Sequence, residues 1–317
     1  LERLVAVAEE LGYVVLSSYD SASDFVGADP NEAALAAMLD DAQALLSLDP
    51  RRIYLVGFSG TTRASWSLGM RMLGNVAGII GSAGGLPARF NNADLRPLRS
   101  HPEFGFYGAA GVHDFTYPEM RRLAGILDRV GVANALEFFP GPHAWATEPI
   151  LRRAVEWMDV RAMATDLRPR DDARIETIHG RWMVHAAALE TAGDLLAAHR
   201  AFRRTADAFA PLLPDDPARE RAERLAALDA VQRAMAREEE LQQRSWALVE
   251  TFDSLLFQAQ VAENAPNADA MARRLGLDRI LADYRVPDDP MLTDAAQRML
   301  EHVYGQAWFY HADAFNR

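Results

Sequence analysis

The chain has 317 residues, half of them apolar, which is long enough for two domains with buried cores. Its net charge of -12 argues against binding to nucleic acid or to an anionic membrane surface, since both attract basic proteins. No apolar run approaches the length of a membrane span, so we expect a soluble chain whose cellular location stays undecided. Cysteine is absent and all 33 basic residues are arginine, which excludes disulfides, thiolate chemistry and lysine-dependent catalysis.

Up to about residue 160, short apolar or β-branched runs alternate with helical stretches. Such alternation predicts right-handed crossovers and a parallel sheet covered by helices. The run at 52–57 is mostly apolar, which is typical of a strand buried on both faces. Strands are predicted at 13–16, 52–57, 76–81, 104–108 and 133–139, and helices at 31–48, 61–73, 117–130 and 149–163.

Beyond Ala164 the strand patterns stop, and a polar, proline-containing linker at 168–172 leads into a helical region. A Trp-x2-His-Ala pattern begins at Trp182 and recurs at Trp308. It resembles the tetratricopeptide signature, in which small residues let paired helices approach closely. A generic helical bundle is the alternative, because tryptophan at helical spacing also fills ordinary cores. We expect this region to dock a protein partner and to take no part in catalysis.

The strongest local motif is Gly57-Phe58-Ser59-Gly60-Thr61, between a predicted strand and a predicted helix. It resembles the nucleophile elbow of the α/β-hydrolases, in which a serine occupies a strained turn flanked by small residues. Thr61 departs from the G-x-S-x-G form, which has a second glycine at that position. The motif predicts that Ser59 is a nucleophile. The N–H of Gly60, at the start of the helix, is predicted to donate to an oxyanion.

The order of the remaining candidates agrees with this resemblance, because the family places an acid and then a histidine after the serine. Asp114 follows the strand predicted at 104–108, and His143 follows the strand predicted at 133–139. Both positions lie at the carboxyl ends of strands, where open α/β sheets build their sites. His143 is expected to be the base that accepts the Ser59 proton, and Asp114 to fix its tautomer.

Other candidates are weaker. Glu119 is an alternative acid, although it falls inside a predicted helix. His113 is adjacent to Asp114 but precedes the last strand, and the sequence indicates no carboxylate partner for His101. Trp145 follows the histidine loop and is either a substrate contact or an ordinary residue of the cleft rim. No grouping of His, Asp and Glu has metal-ligand spacing, so we predict neither a metal nor a cofactor.

The resemblance covers residues 1–164 and implies an α/β-hydrolase domain with a doubly wound, mostly parallel sheet. Residues 173–317 are predicted to form an all-α, tetratricopeptide-like domain. We expect both domains to be incomplete, the first at its amino-terminal side and the second at its carboxyl-terminal side. In the family, a further strand and the loop that carries the second oxyanion N–H would precede Leu1.

Within that superfamily, the short segment after the sixth strand of the fold leaves no room for a large cap. The chain is therefore more similar to dienelactone hydrolases and bacterial carboxylesterases than to capped lipases. This implies hydrolysis of small-molecule carboxylic esters by a Ser-His-Asp acyl-enzyme mechanism. Two alternatives stay open: a catalytically weak or dead hydrolase fold that serves as a protein-binding platform, and a prolyl-oligopeptidase-like peptidase.

Overall fold

The structure is a computed structural model that describes residues 2–17, 29–87, 90, 93–261, 267–286 and 288–315. Within these ranges the side chains of 29–32, 260 and 308–315 are not described, so the second Trp-x2-His-Ala pattern lies outside the described side chains. Among the helices of the described part, none has the length and apolar character needed to cross a membrane.

The core of the amino-terminal half is a four-stranded sheet, as the alternating pattern predicts. Its strands lie in sequence order, and β1–β2 and β2–β3 are parallel, with Tyr54 opposite Gly78 and Gly78 opposite Gly105. β2 and β3 are buried along their whole length, as expected for strands covered on both faces. The strands are β1 Tyr54–Phe58, β2 Gly78–Ser82, β3 Gly105–Gly111 and β4 Ala133–Phe139.

Helices connect the strands and continue as an all-helical region, so the chain has the predicted fold class. The predicted bounds of α4 and β4 agree with the structure residue for residue. The helices of the first half are α1 Glu2–Leu11, α2 Asp29–Leu45, α3 Gly60–Arg71, α4 Tyr117–Val130 and α5 Glu148–Ala164, with a 3-10 helix at Arg96–Ser100. Those of the second half are α6 Asp172–Thr191, α7 Leu195–Phe209, α8 Pro217–Ala226, α9 Asp229–Val261, α10 Ala268–Leu275, α11 Leu277–Tyr284 and α12 Pro290–Phe315.

One predicted strand is not formed, and another is covered on one face instead of two. Residues 13–16 form no strand, because the N–H of Tyr13 donates back to the Ala8 carbonyl and extends the end of α1, and Val14 and Leu16 remain exposed. β1 is covered on one face only: Leu55 is buried, whereas Val56 is 38% exposed. An apolar run by itself does not distinguish a strand at the end of a sheet from a central one.

The chain divides into two compact units. The first contains residues Leu1–Ala110, Glu119–Glu137 and Ala144–Gln232, and so includes β1, β2 and helices α6 to α8. The second contains Gly111–Pro118, Phe138–His143 and Arg233–Arg317. The domain boundary predicted between residues 164 and 173 stays a prediction.

In the first unit, α6 and α7 pack through small and aromatic residues, among them Ala186 of the first Trp-x2-His-Ala pattern. Ala186, Ala198 and Phe202 are fully buried in one cluster. Trp182 is also buried, and its indole N–H donates to Glu156 Oε2 on α5 at 2.7 Å. These helices are therefore anchored to the helical layer of the sheet. Their tetratricopeptide-like character stays a prediction.

A buried ionic cluster in the first unit joins the sheet to α5 and α7. Glu137 on β4 accepts a hydrogen bond from the Tyr107 hydroxyl at 2.6 Å and is paired with Arg153 and Arg204. Burial by itself disfavours the carboxylate, but the Arg204 charge and the contacts with Arg153 and Tyr107 outweigh it and lower the pKa of Glu137 to about 2. Glu137 is therefore ionised in the folded protein at neutral pH.

Glu137→Gln is expected to lower the free energy of unfolding by about 3–5 kcal/mol at neutral pH, because it leaves buried arginines without their counter-charge. The pKa of Glu137 is lower in the folded than in the unfolded chain, so its contribution is fully present above the ordinary value of 4.5 and is lost as the pH falls to about 2. Denaturant unfolding of both proteins across that range should show their difference shrinking.

The matched control is Glu240→Gln, which removes an exposed partner of Arg237 on α9 and should change stability by less than about 1 kcal/mol. A stability difference for Glu137→Gln that does not change between neutral and acid pH would contradict the assignment of an ionised, paired Glu137.

Candidate active site

Ser59 alone makes the turn from β1 into α3, since β1 ends at Phe58 and α3 begins at Gly60. Its backbone has φ 53° and ψ -120°, a region that L-residues seldom adopt and that costs about 1–3 kcal/mol. The Ser59 N–H donates to the Ser82 carbonyl at the end of β2, at 2.8 Å. The neighbouring strand thus holds the strained turn.

The residue before the turn has no room for a side chain. A Cβ on Gly57 would lie 2.5 Å from the backbone nitrogen of Thr62 and 2.6 Å from the carbonyl carbon of Thr61. Because both atoms belong to the backbone of the first turn of α3, neither can move without opening the elbow. This is the physical reason for a glycine at position 57.

Thr61, which departs from the family pattern, closes the same turn. Its hydroxyl accepts a hydrogen bond from the Phe58 N–H and donates one to the Phe58 carbonyl, both at 2.7 Å. Residue 61 therefore contributes two side-chain hydrogen bonds that glycine could not make.

Trp145 packs on Phe58, with ring centroids 5.5 Å apart, and is 38% exposed.

Gly57→Ala is expected to lower the free energy of unfolding by more than about 3 kcal/mol, or to prevent folding, because the new methyl group overlaps backbone atoms. The matched control is Gly180→Ala, in the interior of α6, where a Cβ meets no atom within 4 Å. That exchange should stabilise the protein by about 1 kcal/mol through helix propensity. Thermal and denaturant unfolding measure both effects, and equal stability of the two variants would contradict the elbow geometry.

Asp114 and His143, in the second unit, are brought together by the structure. His143 Nδ1 lies 3.0 Å from both carboxylate oxygens of Asp114, which is completely buried. The Thr116 N–H and hydroxyl donate to Asp114 Oδ1 at 2.7 and 2.8 Å. A carboxylate on Nδ1 selects the tautomer with its proton on that nitrogen, which leaves the Nε2 lone pair for proton transfer.

The loops that carry these two residues are fastened to each other. The Val112 N–H donates to the Phe139 carbonyl at 2.8 Å, and the His113 N–H donates to the Gly141 carbonyl at 3.0 Å. A Cβ on Gly111 would lie only 2.2 Å from the Gly141 oxygen, so the backbones touch at that point. Close backbone contact fixes the separation of Asp114 and His143.

The predicted site residues are distributed over both units: Ser59 and Gly60 lie in the first, and Asp114 and His143 lie in the second. Gly60 is the first residue of α3, where backbone N–H groups have no acceptor within the helix. A transfer of a proton between Ser59 and His143 stays a prediction.

The alternative candidates have other partners. Glu119 Oε2 accepts from Arg63 Nη2 at 2.6 Å. His113 Nε2 lies 2.7 Å from Asp294 Oδ1. His101, for which the sequence indicates no carboxylate partner, has its Nδ1 2.8 Å from Glu103 Oε1. A carboxylate partner therefore does not by itself identify a catalytic histidine. The pair of Asp114 and His143 differs from these other pairs because the Asp114 carboxylate is completely buried and accepts further hydrogen bonds from Thr116.

Thr116 was missed by the sequence interpretation. A polar residue two positions after an aspartate is a local signal for an Asx-type turn, in which the carboxylate caps the following backbone. That signal could have identified Thr116 as the residue that orients Asp114.

Among the described residues, the structure contains no group of three or more His, Asp or Glu side chains placed to hold a metal ion.

The strand–serine–helix turn and the parallel sheet that carries it are the α/β arrangement that the sequence predicts. No family model and no curated protein matches this chain. Among solved structures, S-formylglutathione hydrolase FrmB from Staphylococcus aureus is similar at 17% identity and a TM-score of 0.33, over 40% of this chain and 59% of that protein. A variant of SOBER1 from Arabidopsis thaliana is similar at 14% identity and a TM-score of 0.34, over 46% of this chain and 71% of that protein.

Proposed function

We propose that the chain is a serine hydrolase that cleaves carboxylic esters, with Ser59 as nucleophile, His143 as general base and Asp114 as the acid that orients His143. The observation that carries the proposal is the hydrogen-bonded pair of His143 Nδ1 and the fully buried Asp114 carboxylate. Burying a carboxylate costs free energy unless it is well partnered. A buried, well-partnered carboxylate on a histidine, in a chain that also has a strained serine turn, supports acyl transfer as the chemistry.

In the proposed reaction, the Ser59 hydroxyl attacks the ester carbonyl carbon while His143 Nε2 accepts its proton. The tetrahedral intermediate collapses, the carbon–oxygen bond to the alcohol breaks, and His143 returns the proton to the leaving alkoxide. A water molecule then repeats the sequence on the acyl-enzyme, releasing the carboxylic acid and restoring Ser59. Asp114 stabilises the imidazolium that forms in both halves.

Two features of the elbow support this assignment. The strained backbone of Ser59 fixes the direction in which its side chain leaves the turn. A group positioned in this way before substrate arrives needs less reorganisation in the transition state. Gly60, at the positive end of α3, supplies an N–H that we assign to the oxyanion.

A non-catalytic binding platform is the competing function, and a protein partner for the helical region stays a prediction of the Trp182 pattern alone. Fluorophosphonate labelling of the purified chain, followed by peptide mass mapping, separates the two. The proposed function requires one adduct, on Ser59, that forms in the native but not in the heat-denatured protein. An unlabelled native chain would favour the platform.

Substrate class is tested on the same protein. We expect turnover of short-chain p-nitrophenyl esters and none of matched peptide p-nitroanilides. Faster cleavage of the anilides would instead favour a peptidase that uses the same three residues.

A further inference from the structure

The segment Gly111–Pro118, here called the acid loop, carries Asp114 and contacts α12 within the second unit. Arg298 Nη1 donates to the Val112 carbonyl at 2.5 Å, two residues before Asp114. The His113 side chain, directly before Asp114, contacts Asp294 Oδ1 at 2.7 Å. Asp294 and Arg298 are one helical turn apart on α12, so a single face of that helix contacts the amino-terminal side of the acid loop.

The other side of the acid loop contacts α9. The Tyr117 hydroxyl donates to Glu238 Oε1 at 2.9 Å, and Gln242 Nε2 donates to the Pro118 carbonyl at 3.3 Å. Glu238 and Gln242 are again one turn apart. The residues on both sides of Asp114 are thus fastened to helices that lie more than a hundred positions later in the sequence.

Arg298 joins the two sides. Its guanidinium carbon lies 4.2 Å from the centre of the Tyr117 ring, while its Nη1 contacts Val112, and the residue is only 5% exposed. A buried arginine carries a large desolvation cost, so its position must be set by strong partners. The cation–π contact and the charge-assisted hydrogen bond to the loop carbonyl supply them.

We propose that Arg298 is a positioning residue for the acid of the proposed triad, and that α9 and α12 hold the acid loop at the distance from which Asp114 selects the tautomer of His143. Only the expected change in kcat rests on the proposed function. Its structural claim concerns the hydrogen bond between Asp114 and His143 Nδ1, which can be observed whether or not the protein turns over an ester.

The test compares Arg298→Met and Arg298→Lys with the control Arg244→Met. Arg244 on α9 pairs with Asp283 on α11 at 2.5 Å, so the control breaks an ion pair in the same unit away from the acid loop. Displacing a catalytic group by about 1 Å costs about 10²-fold in rate, so Arg298→Met should lower kcat by that factor with KM unchanged. Arg298→Lys should recover part of kcat, and Arg244→Met should keep the wild-type value.

Nitrogen-15 spectra of the histidine side chains supply the second readout. We expect His143 to carry its proton on Nδ1 in the wild type and in Arg244→Met, and to show a mixture of tautomers in Arg298→Met. Arg298→Lys replaces the methionine variant if the latter does not fold, with a smaller tautomer change expected. Unchanged tautomer populations in folded Arg298 variants, or the same change in Arg244→Met, would overturn the inference. A wild-type protein with no Ser59 turnover but with this tautomer difference would overturn the proposed function alone.

Discussion

Ser59→Ala is expected to remove fluorophosphonate incorporation and to lower kcat for p-nitrophenyl acetate by about 10⁶-fold. The proposed mechanism forms its covalent intermediate on this oxygen, and no other described group occupies the turn between β1 and α3. Without it, His143 has no hydroxyl to activate, and only weak transition-state binding remains. Steady-state hydrolysis and label stoichiometry measure the effect.

The control for this exchange is Ser100→Ala, an exposed serine at the end of the 3-10 helix, which should leave both readouts unchanged. Ser59→Gly adds a second check. Glycine adopts positive φ without strain, so this variant should be inactive and more stable than the wild type by about 1 kcal/mol. Undiminished ester hydrolysis by Ser59→Ala would refute the assignment of the nucleophile.

Asp114→Asn is expected to lower kcat by about 10⁴-fold at neutral pH. The reason lies in the donors around the carboxylate: the Thr116 N–H and hydroxyl both donate to Oδ1. An asparagine would therefore keep its carbonyl oxygen at that position and place its amide group beside His143 Nδ1. The imidazole would then have to accept there, which moves its proton to Nε2 and disables it as a base.

Glu119→Gln is the matched control, because Glu119 was the competing acid in the sequence and is paired with Arg63 in a partly exposed ion pair of the first unit. Its kcat should stay close to that of the wild type. A large loss in Glu119→Gln together with a near-normal Asp114→Asn would transfer the role of the acid to Glu119. Circular dichroism of both variants separates catalytic loss from unfolding.

The sequence by itself determined the parts of the molecule whose physics is local. Periodicity gave the bounds of α4 and β4, because amphipathic helices and short β-branched runs carry their own signal. The small residues around Ser59 predicted a tight turn, and the structure shows that a Cβ at position 57 would strike the backbone of α3. Asp114 and His143, each placed after a strand, were predicted to act together and lie within hydrogen-bond distance.

The tertiary structure alone decided what joins distant parts of the chain. One face of β1 is uncovered because β1 lies at the end of the described sheet. The sequence around Val56 does not indicate that position, since an apolar run looks the same in a central strand. The ionised Glu137 depends on two arginines, one of them on α7. The sequence also gave no sign that Arg298 on α12 contacts the carbonyl of Val112, 186 positions earlier. Such contacts arise when elements that are distant in the sequence pack together. The periodic pattern of one element shows which of its faces is buried, but it does not identify the element that covers that face.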